Sequence, residues 1–525
     1  MSLLKSITTF GGWTLISRLT GFCRDVVLAN YLGAGVVSDA FFVSFKLPNL
    51  FRSLFAEGAF SAAFVPIFSQ KLLESKHDAV KFAAAAISVL AAFVGVFVIL
   101  MEIIMPAVVM LLAPGFADEP DKISLAASLT RVTFPFLLLV SIVSFQSGIL
   151  NSLGKFAAPA AAPVILNLTM IASAFAFMPF INTPAYRFAL AIPLAGILEV
   201  LWLGYFLKKE NIFLIPQKNI VALSKSDEIK TLFKRIAPGI FGAGIYQINM
   251  MVDTILVSLV GSGAISWLYY ANRLQQLPLG VVGAAIGVAL LPILSRQLKS
   301  AQNDEAKKTQ DKAVEFGIML SVPAAAAMIV LAEPVVNILF QHGKFGVFQT
   351  LMTSRAVMAY ALGLPLYVMV KALAPNFFAR LDTKTPVKYS AVVLLANLLF
   401  SVILMQFFGH IGIAFATTLA AFVSLGLYIR GLKKRGFWIF SSVLKIRILK
   451  IFLCSIVMGF FLQAQLWGLS LIFGDWLKFS FVVKAGILGV ISAAALAVLT
   501  IMFKITGIID VFSYLKNFYY QRRKK

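Results

Sequence analysis

The sequence predicts an all-α, polytopic membrane protein with about fourteen transmembrane helices, and three observations carry that prediction. Of 525 residues, 60% are hydrophobic and 13% charged, against roughly 45–50% and about 25% in soluble domains. The apolar residues fall into runs long enough for the roughly 20 residues that cross a hydrocarbon core. The basic residues, which give a formal net charge of +24, gather in alternate connections between those runs.

In chain order, the first run, 7–32, carries "SRLTGFCRD" with no small-residue cleavage site after it, so it is expected to be retained rather than removed as a signal peptide. The second, 36–68, leads to Lys71, Lys76 and Lys81. Runs three and four, 82–112 and 123–152, flank the acidic "GFADEPDK". Runs five and six, 158–180 and 185–207, lead into Lys208, Lys209, Lys218, Lys225, Lys230, Lys234 and Arg235. Runs seven and eight, 233–260 and 264–295, precede Arg296, Lys299, Lys307, Lys308 and Lys312. Runs nine to twelve are 312–340, 350–380, 387–408 and 411–431, the last closed by Arg430, Lys433, Lys434 and Arg435. The final pair, 446–470 and 480–505, ends in a tail "QRRKK". Cytoplasmic connections hold the excess of Lys and Arg. Both termini and every even connection are therefore expected in the cytoplasm, which reads the charge as topology and not as a nucleic-acid footprint.

A weak internal repeat sets the domain plan. "GAFSAAFVPIFSQKL" (58–72) resembles "AAIGVALLPILSRQL" (284–298), an offset of 226 that spans six helices. An even number of helices relates two lobes of the same orientation, with the expected substrate site in a central cavity. The expected divisions are a lobe at 1–210, a basic linker at 211–232, a lobe at 233–435, two further helices at 436–510 and a basic tail at 511–525.

The charges inside the runs are the functional signal. A mid-helix arginine costs about 2.5–3.5 kcal/mol to insert, so Arg18, Arg24, Arg52 and Arg273 must pair or line a wet cavity. Arg18 and Asp25 share a helix face at a spacing of seven, and Asp39 and Lys46 repeat it. Interhelical salt bridges, or snorkelling near helix ends, account for any one of these residues. The set does not balance: Arg18, Arg24, Lys46, Arg52 and Arg273 against Asp25, Asp39 and Glu57 leaves an excess of two positives. Cations in an apolar shell suit an anionic ligand, and the planar guanidinium fork suits phosphate and carboxylate. Asp253, in the seventh run with no evident local cation, is a second feature; with the neutral oxygens of Asn397 and Thr417 it would suit Na⁺ or a proton, or else stand as a hydrogen-bonded structural acid. Cys23 and Cys454 lie in apolar runs, the three histidines show no ligand spacing, and no nucleophile–base arrangement or metal cluster stands out. Neither an enzyme nor a resident cofactor is expected.

The stretches "RLTGFCRD" (18–25), "DAFFVSFKLPNLFRSLFAEGAFSAAFVP" (39–66), "SWLYYANRL" (266–274), "QHGKF" (341–345) and "APNFFARLDTKTPVK" (374–388) resemble the MurJ (MviN) family of bacterial lipid II flippases, part of the multidrug/oligosaccharidyl-lipid/polysaccharide exporter superfamily. The resemblance implies two six-helix lobes with a central cavity, and two C-terminal helices forming a groove for a polyprenyl tail. It implies lipid II as the substrate, in the bacterial inner membrane, beside membrane lipids and the peptidoglycan-synthesis machinery. It assigns Arg18, Arg24, Arg52, Arg273 and Ser17 to the headgroup and diphosphate, and Asp25, Asp39, Lys46 and Glu57 to gating or cavity charge. Sodium-coupled relatives carry an acid where Asp253 falls, although Ser401 stands where a second acid would complete that site. The implied mechanism is alternating access, driven by membrane potential or by Na⁺ or H⁺ coupling. A flippase for another undecaprenyl-diphosphate-linked glycan is the main alternative, followed by a multidrug or cation antiporter, whose cavity would be anionic and aromatic.

Overall fold

A computed structural model describes residues 3–55 and 59–508; within them the side chains of 3–10, 53–55, 59–62, 237–246, 281, 284, 285 and 288 are outside the description. Glu57, and the tail from 511 onward, therefore lie outside the described residues. The described elements are helical, and eight helical spans among the described residues, one of them the broken Pro120–Ser152, are long and apolar enough, by length and composition, to cross a membrane.

Helices α1 (Leu3–Leu32), α2 (Val36–Phe55), α3 (Ala59–Glu74), α4 (Lys76–Ile103), α5 (Met105–Leu112), α6 (Pro120–Thr133), α7 (Phe136–Ser152), α8 (Ala157–Ala176) and α9 (Pro184–Lys209) come first. They are followed by a short α10 (Ile220–Ser224), α11 (Asp227–Ser258), α12 (Ala264–Lys299), α13 (Asn303–Val330), α14 (Ala332–Phe340), α15 (Val347–Phe378), α16 (Lys384–Lys434), α17 (Ser442–Phe473) and α18 (Phe481–Ile505).

Among the described residues each apolar run is thus helical, but three that read as single helices, the third, fourth and ninth, are broken. The breaks fall at Ile104, at Phe134–Pro135 and at Leu331, each just ahead of or at a proline: Pro106, Pro135 and Pro334. Proline lacks the N–H for its i−4 carbonyl and clashes with it. The eleventh and twelfth runs are joined across Gly409, which holds φ 56° and ψ −133° in the midst of helix. A Cβ on Gly412 would lie 2.2 Å from the Leu404 carbonyl oxygen, so the chain folds back on itself at this point.

The chain divides into two compact units, 1–266 with 342–345, and 267–341 with 346–525. In the first, α1 packs along α8, α8 along α9, and α2 against α6 and α7. Packed rings fill its core: Phe64 stacks on Phe68 at 5.4 Å and lies tilted against Phe145 at 4.4 Å, centroid to centroid. α11, which the repeat assigns to the second half of the chain, packs here on α2 and α3. In the second unit α13 is the hub, flanked by α15 and α17, with α16 on α15 and α18 on α17. Its core runs from Val314 and Ile318 through Leu364 and Val368 to Cys454 and Leu499. Two ties fix α17 and the segment before it: Trp438 Nε1 donates to Asp311 at 2.7 Å, and Arg447 pairs with Glu315 at 2.7 Å.

Candidate functional site

The charged residues of the first runs form two buried clusters in the first unit. One centres on Arg24, only 4% exposed, and Asp25, fully buried. The guanidinium donates twice to one Asp25 oxygen, from Nε at 3.1 Å and Nη2 at 2.7 Å. Its Nη1 donates to Asn167 Oδ1 on α8 at 3.0 Å, and its plane sits 5.2 Å from the Phe45 ring. Asn167 in turn donates to the Ser17 carbonyl at 3.0 Å and to Thr20 Oγ1 at 3.2 Å, binding α8 to α1 across the same turns. Arg18, one residue on from Ser17, is exposed.

The shared face at a spacing of seven does not produce a pair. Two helical turns separate such residues by about 10.5 Å, and both acids find nearer partners. Asp25 takes its sequence neighbour, whereas Asp39 takes Lys122, a residue that the sequence reading left in an acidic connection.

Asp39 organises the second cluster. It is fully buried near the start of α2, and its Oδ2 lies 3.3 Å from Lys122 Nζ. The same oxygen accepts from Gly263 N at 2.6 Å, while Oδ1 accepts from Ser266 N at 3.0 Å and Ser266 Oγ at 2.6 Å. Those amides are the unsatisfied donors at the N-terminus of α12, where a carboxylate is doubly favoured by hydrogen bonds and by the helix dipole. Lys122 also donates to Ser262 Oγ at 2.7 Å, Ser262 donates to Glu119 at 2.6 Å, and the ammonium sits 4.2 Å from the Phe116 ring. Ser38 and Ser266 hydroxyls are 2.8 Å apart.

A third tie joins "QHGKF" to the end of α1. Lys344 N donates to the Asn30 carbonyl at 2.9 Å. Gly343 holds φ +57°, and a Cβ there would lie 2.3 Å from Asn30 Oδ1 and 2.4 Å from its carbonyl oxygen, so only glycine fits.

The other expected residues are placed as follows. Lys46 donates to Thr254 Oγ1 at 3.2 Å and is in electrostatic contact with Asp253, which also accepts from Asn249 at 3.3 Å. Asp253 thus has a local cation after all; α2 packing on α11 supplies it, and nothing in the seventh run could have signalled it. Arg52 faces Glu199, an acid only 3% exposed on α9. In the second unit Arg273 is half-buried, donates to Tyr269 Oη at 3.1 Å and lies 5.2 Å from that ring. Asn397 is buried on α16, and Thr417 Oγ1 donates to the Ile413 carbonyl at 3.1 Å.

Comparison with known proteins completes the description of the chain. The family described as "Lipid II flippase MurJ" matches residues 28–486. A "Probable lipid II flippase MurJ" of Rhizobium tropici is 36% identical over 521 residues, covering 97% of this chain and 96% of its own. The protein of the same description from Vibrio cholerae is 34% identical, covering 95% and 96%. A solved structure titled "Lipid II flippase MurJ, inward closed conformation" superposes with a TM-score of 0.77 at 27% identity, over 95% of this chain and 98% of that one. An inward-facing MATE-family multidrug resistance transporter shares the fold at a TM-score of 0.65 and 14% identity, over 82% and 95%.

Proposed function

The chain belongs to the lipid II flippase MurJ family, and from that premise we propose how its buried charges move a lipid-linked anion across the bilayer. It is a multi-pass membrane protein that flips lipid II. The substrate's diphosphate is the anion that the excess of arginines calls for. Arg18 is exposed and supplies charge directly. Arg24 is already engaged with Asp25 and Asn167, so it reaches a phosphate only by exchanging one of those acceptors for it. Within the first unit Arg52 contributes further positive charge and Ser17 a hydroxyl; Arg273 is the candidate headgroup cation of the second unit.

The observation that carries the mechanism is the Asp39 cluster. One carboxylate holds α2, the residues after the Pro114–Phe116 turn and the N-terminus of α12 together, while Gly343 and Lys344 clip onto the end of α1. Charge topology puts these connections on the periplasmic side of the inner membrane, with both termini in the cytoplasm. They form a closed outer gate whose release exposes the headgroup to the periplasm, and alternating access follows from making and breaking them. Glu57, outside the described residues, belongs to the same group of gating or cavity charges by its place in the family motif. The membrane potential, negative inside, favours outward movement of an anion by about 2.3 kcal/mol per charge per 100 mV. Na⁺ or H⁺ coupling through Asp253 is a second source of drive, although Asn397 and Thr417 belong to the other compact unit; Lys46 beside that acid argues for the potential as the main one. Peptidoglycan-synthesis enzymes on the outer face would consume the flipped lipid.

The test is leaflet accessibility of lipid II in cells after acute inactivation of the protein, read with an added hydrolase that does not cross the inner membrane. Exposure should collapse while precursor accumulates inside, and neither Arg18→Ala nor Arg273→Ala should restore it. Unchanged exposure, in cells without a second flippase, would remove lipid II as the substrate and favour another undecaprenyl-diphosphate-linked glycan.

A further inference from the structure

The break between α4 and α5 creates a second polar site, on the membrane-facing surface of the first unit and apart from the clusters above. Pro106 has no N–H to offer the Glu102 carbonyl one turn back. That freed carbonyl is taken by Arg131 Nε on α6, at 3.3 Å. The exchange holds a guanidinium at the rim of an open cavity of about 470 Å³ between α5 and α6. Pro106 and Met110 form one wall; Ile123, Ser124, Ser128 and Arg131, at helical spacing on one face of α6, form the other. Arg131 is exposed, and its two terminal nitrogens make no hydrogen bond among the described residues. The Glu102 carboxylate lies within electrostatic reach of Arg131, with Oε1 carrying no hydrogen bond.

Depth in the bilayer decides what such a cavity meets. α4 has 28 residues, about 42 Å at 1.5 Å per residue, and is anchored at its start by Lys76 and Lys81. The hydrocarbon core is only about 30 Å thick. The far end of α4, with Glu102, therefore stands at headgroup level, flanked by exposed Ile99, Leu100, Ile103 and Met110 that face acyl chains. A purely anionic lipid would be repelled by Glu102, and a neutral one would leave Arg131 unanswered. A phosphodiester beside an ammonium answers both.

We propose that this cavity binds a zwitterionic phospholipid of the phosphatidylethanolamine type, with the phosphate on Arg131 and the hydroxyls of Ser124 and Ser128, the ammonium toward Glu102, and an acyl chain along Pro106 and Met110. The site serves an annular lipid and not the flipped substrate, so it stands or falls separately from the gate described above.

Native mass spectrometry of the full-length protein, offered phosphatidylethanolamine or phosphatidylglycerol in the same micelles, reads the site directly. Wild type should retain one more phosphatidylethanolamine than Arg131→Ala, whose apparent affinity should fall about tenfold, the scale of one charge-assisted hydrogen bond. Glu102→Gln should erase the preference for phosphatidylethanolamine over phosphatidylglycerol while keeping a bound phospholipid. Ser128→Leu, which fills the cavity with an apolar side chain on a lipid-facing surface, should lose the lipid even if Arg131→Ala folds poorly. Equal retention by wild type, Arg131→Ala and Ser128→Leu overturns the site. An unaltered lipid preference in Glu102→Gln overturns its zwitterionic character.

Discussion

Asp39 and Lys122 form an ion pair with side chains 0% and 2% exposed, Oδ2 to Nζ 3.3 Å, at the point where α2, α6 and the N-terminus of α12 meet. Breaking a buried pair by removing one partner costs about 3–5 kcal/mol, because the survivor stays buried and uncompensated. Asp39 keeps three other donors when Lys122 is lost, so Lys122→Met should fall at the low end, about 3 kcal/mol. Asp39→Asn, which also loses acceptor capacity at the α12 N-terminus, should cost at least as much. Thermal unfolding in detergent should show both variants lowered and the double variant less than additive. Strict additivity would mean that the two residues are not energetically coupled.

Arg24 serves either Asp25 or the substrate, and a double substitution separates the two roles. Arg24→Ala takes away the guanidinium that donates twice to a fully buried carboxylate, and should destabilise by about 3–5 kcal/mol. Arg24→Ala/Asp25→Ala removes the charge that was left behind and should regain most of that stability. Lipid II exposure should remain lost in the double variant. Recovery of exposure together with stability would make Arg24 a purely structural group.

How much of this was legible follows from how each residue finds its partner. The helical runs were legible because hydropathy over some twenty residues is a local property. The breaks were only half legible: Pro106, Pro135 and Pro334 mark them, yet Pro48, Pro66 and Pro292 lie inside unbroken helix. The presence of buried charge was legible from its insertion cost, and Arg24, Asp25 and Asp39 are indeed buried. The pairing was not. Lys122 is 83 residues from Asp39, Asn167 is 143 from Arg24 and Thr254 is 208 from Lys46. No periodicity within one helix reports a partner chosen by packing between helices. The partner of Glu199 was hidden for the same reason, since its near sequence neighbours are apolar while Arg52 faces it across α9 and α2.

Outside the membrane, Asp382 follows the connection from α15 and answers to pH. The Arg435 guanidinium, with the hydroxyl and amide of Thr385, holds its carboxyl down at about 2. An ordinary aspartate titrates near 3.9. A depressed carboxyl contributes its stability above the unfolded value and loses it as pH falls through the folded one, so the tie should be constant from neutral pH to about 4 and fail toward 2. The Asp382 side chain is partly exposed, at 23%, and its Arg435 partner more so, so solvent screening keeps the energetic effect small. Carbon-detected NMR of labelled aspartate should place the Asp382 midpoint near 2, and Arg435→Ala should return it to the ordinary range. A midpoint unmoved by Arg435→Ala would assign the depression to Thr385.

The Ser38 and Ser266 hydroxyls, 2.8 Å apart beside Asp39, allow the gate to be locked without replacing a charged residue, at the loss of the Ser266 hydroxyl's bond to Asp39. Two cysteines there would bring their sulfurs to within a short adjustment of the roughly 2.05 Å disulfide bond. Ser38→Cys/Ser266→Cys should form that bond under mild oxidation and hold α2 against the start of α12. If this end must open for release, the oxidised protein should leave lipid II inaccessible from outside, and a reductant should restore exposure within the same cells. The reduced double variant and Ser266→Cys alone, which both give up the hydroxyl donated to Asp39, are the reference against which the oxidised protein is read, and Ser38→Cys alone should be unaffected by oxidation. Of the chain's own cysteines, Cys454 is buried on α17 but Cys23 is exposed on α1, so Cys23→Ser is the background in which the pair is introduced. Full exposure from a protein shown to be cross-linked would mean that the headgroup leaves by a route that does not part α2 from α12, and the Asp39 cluster would then be a fixed brace instead of a gate.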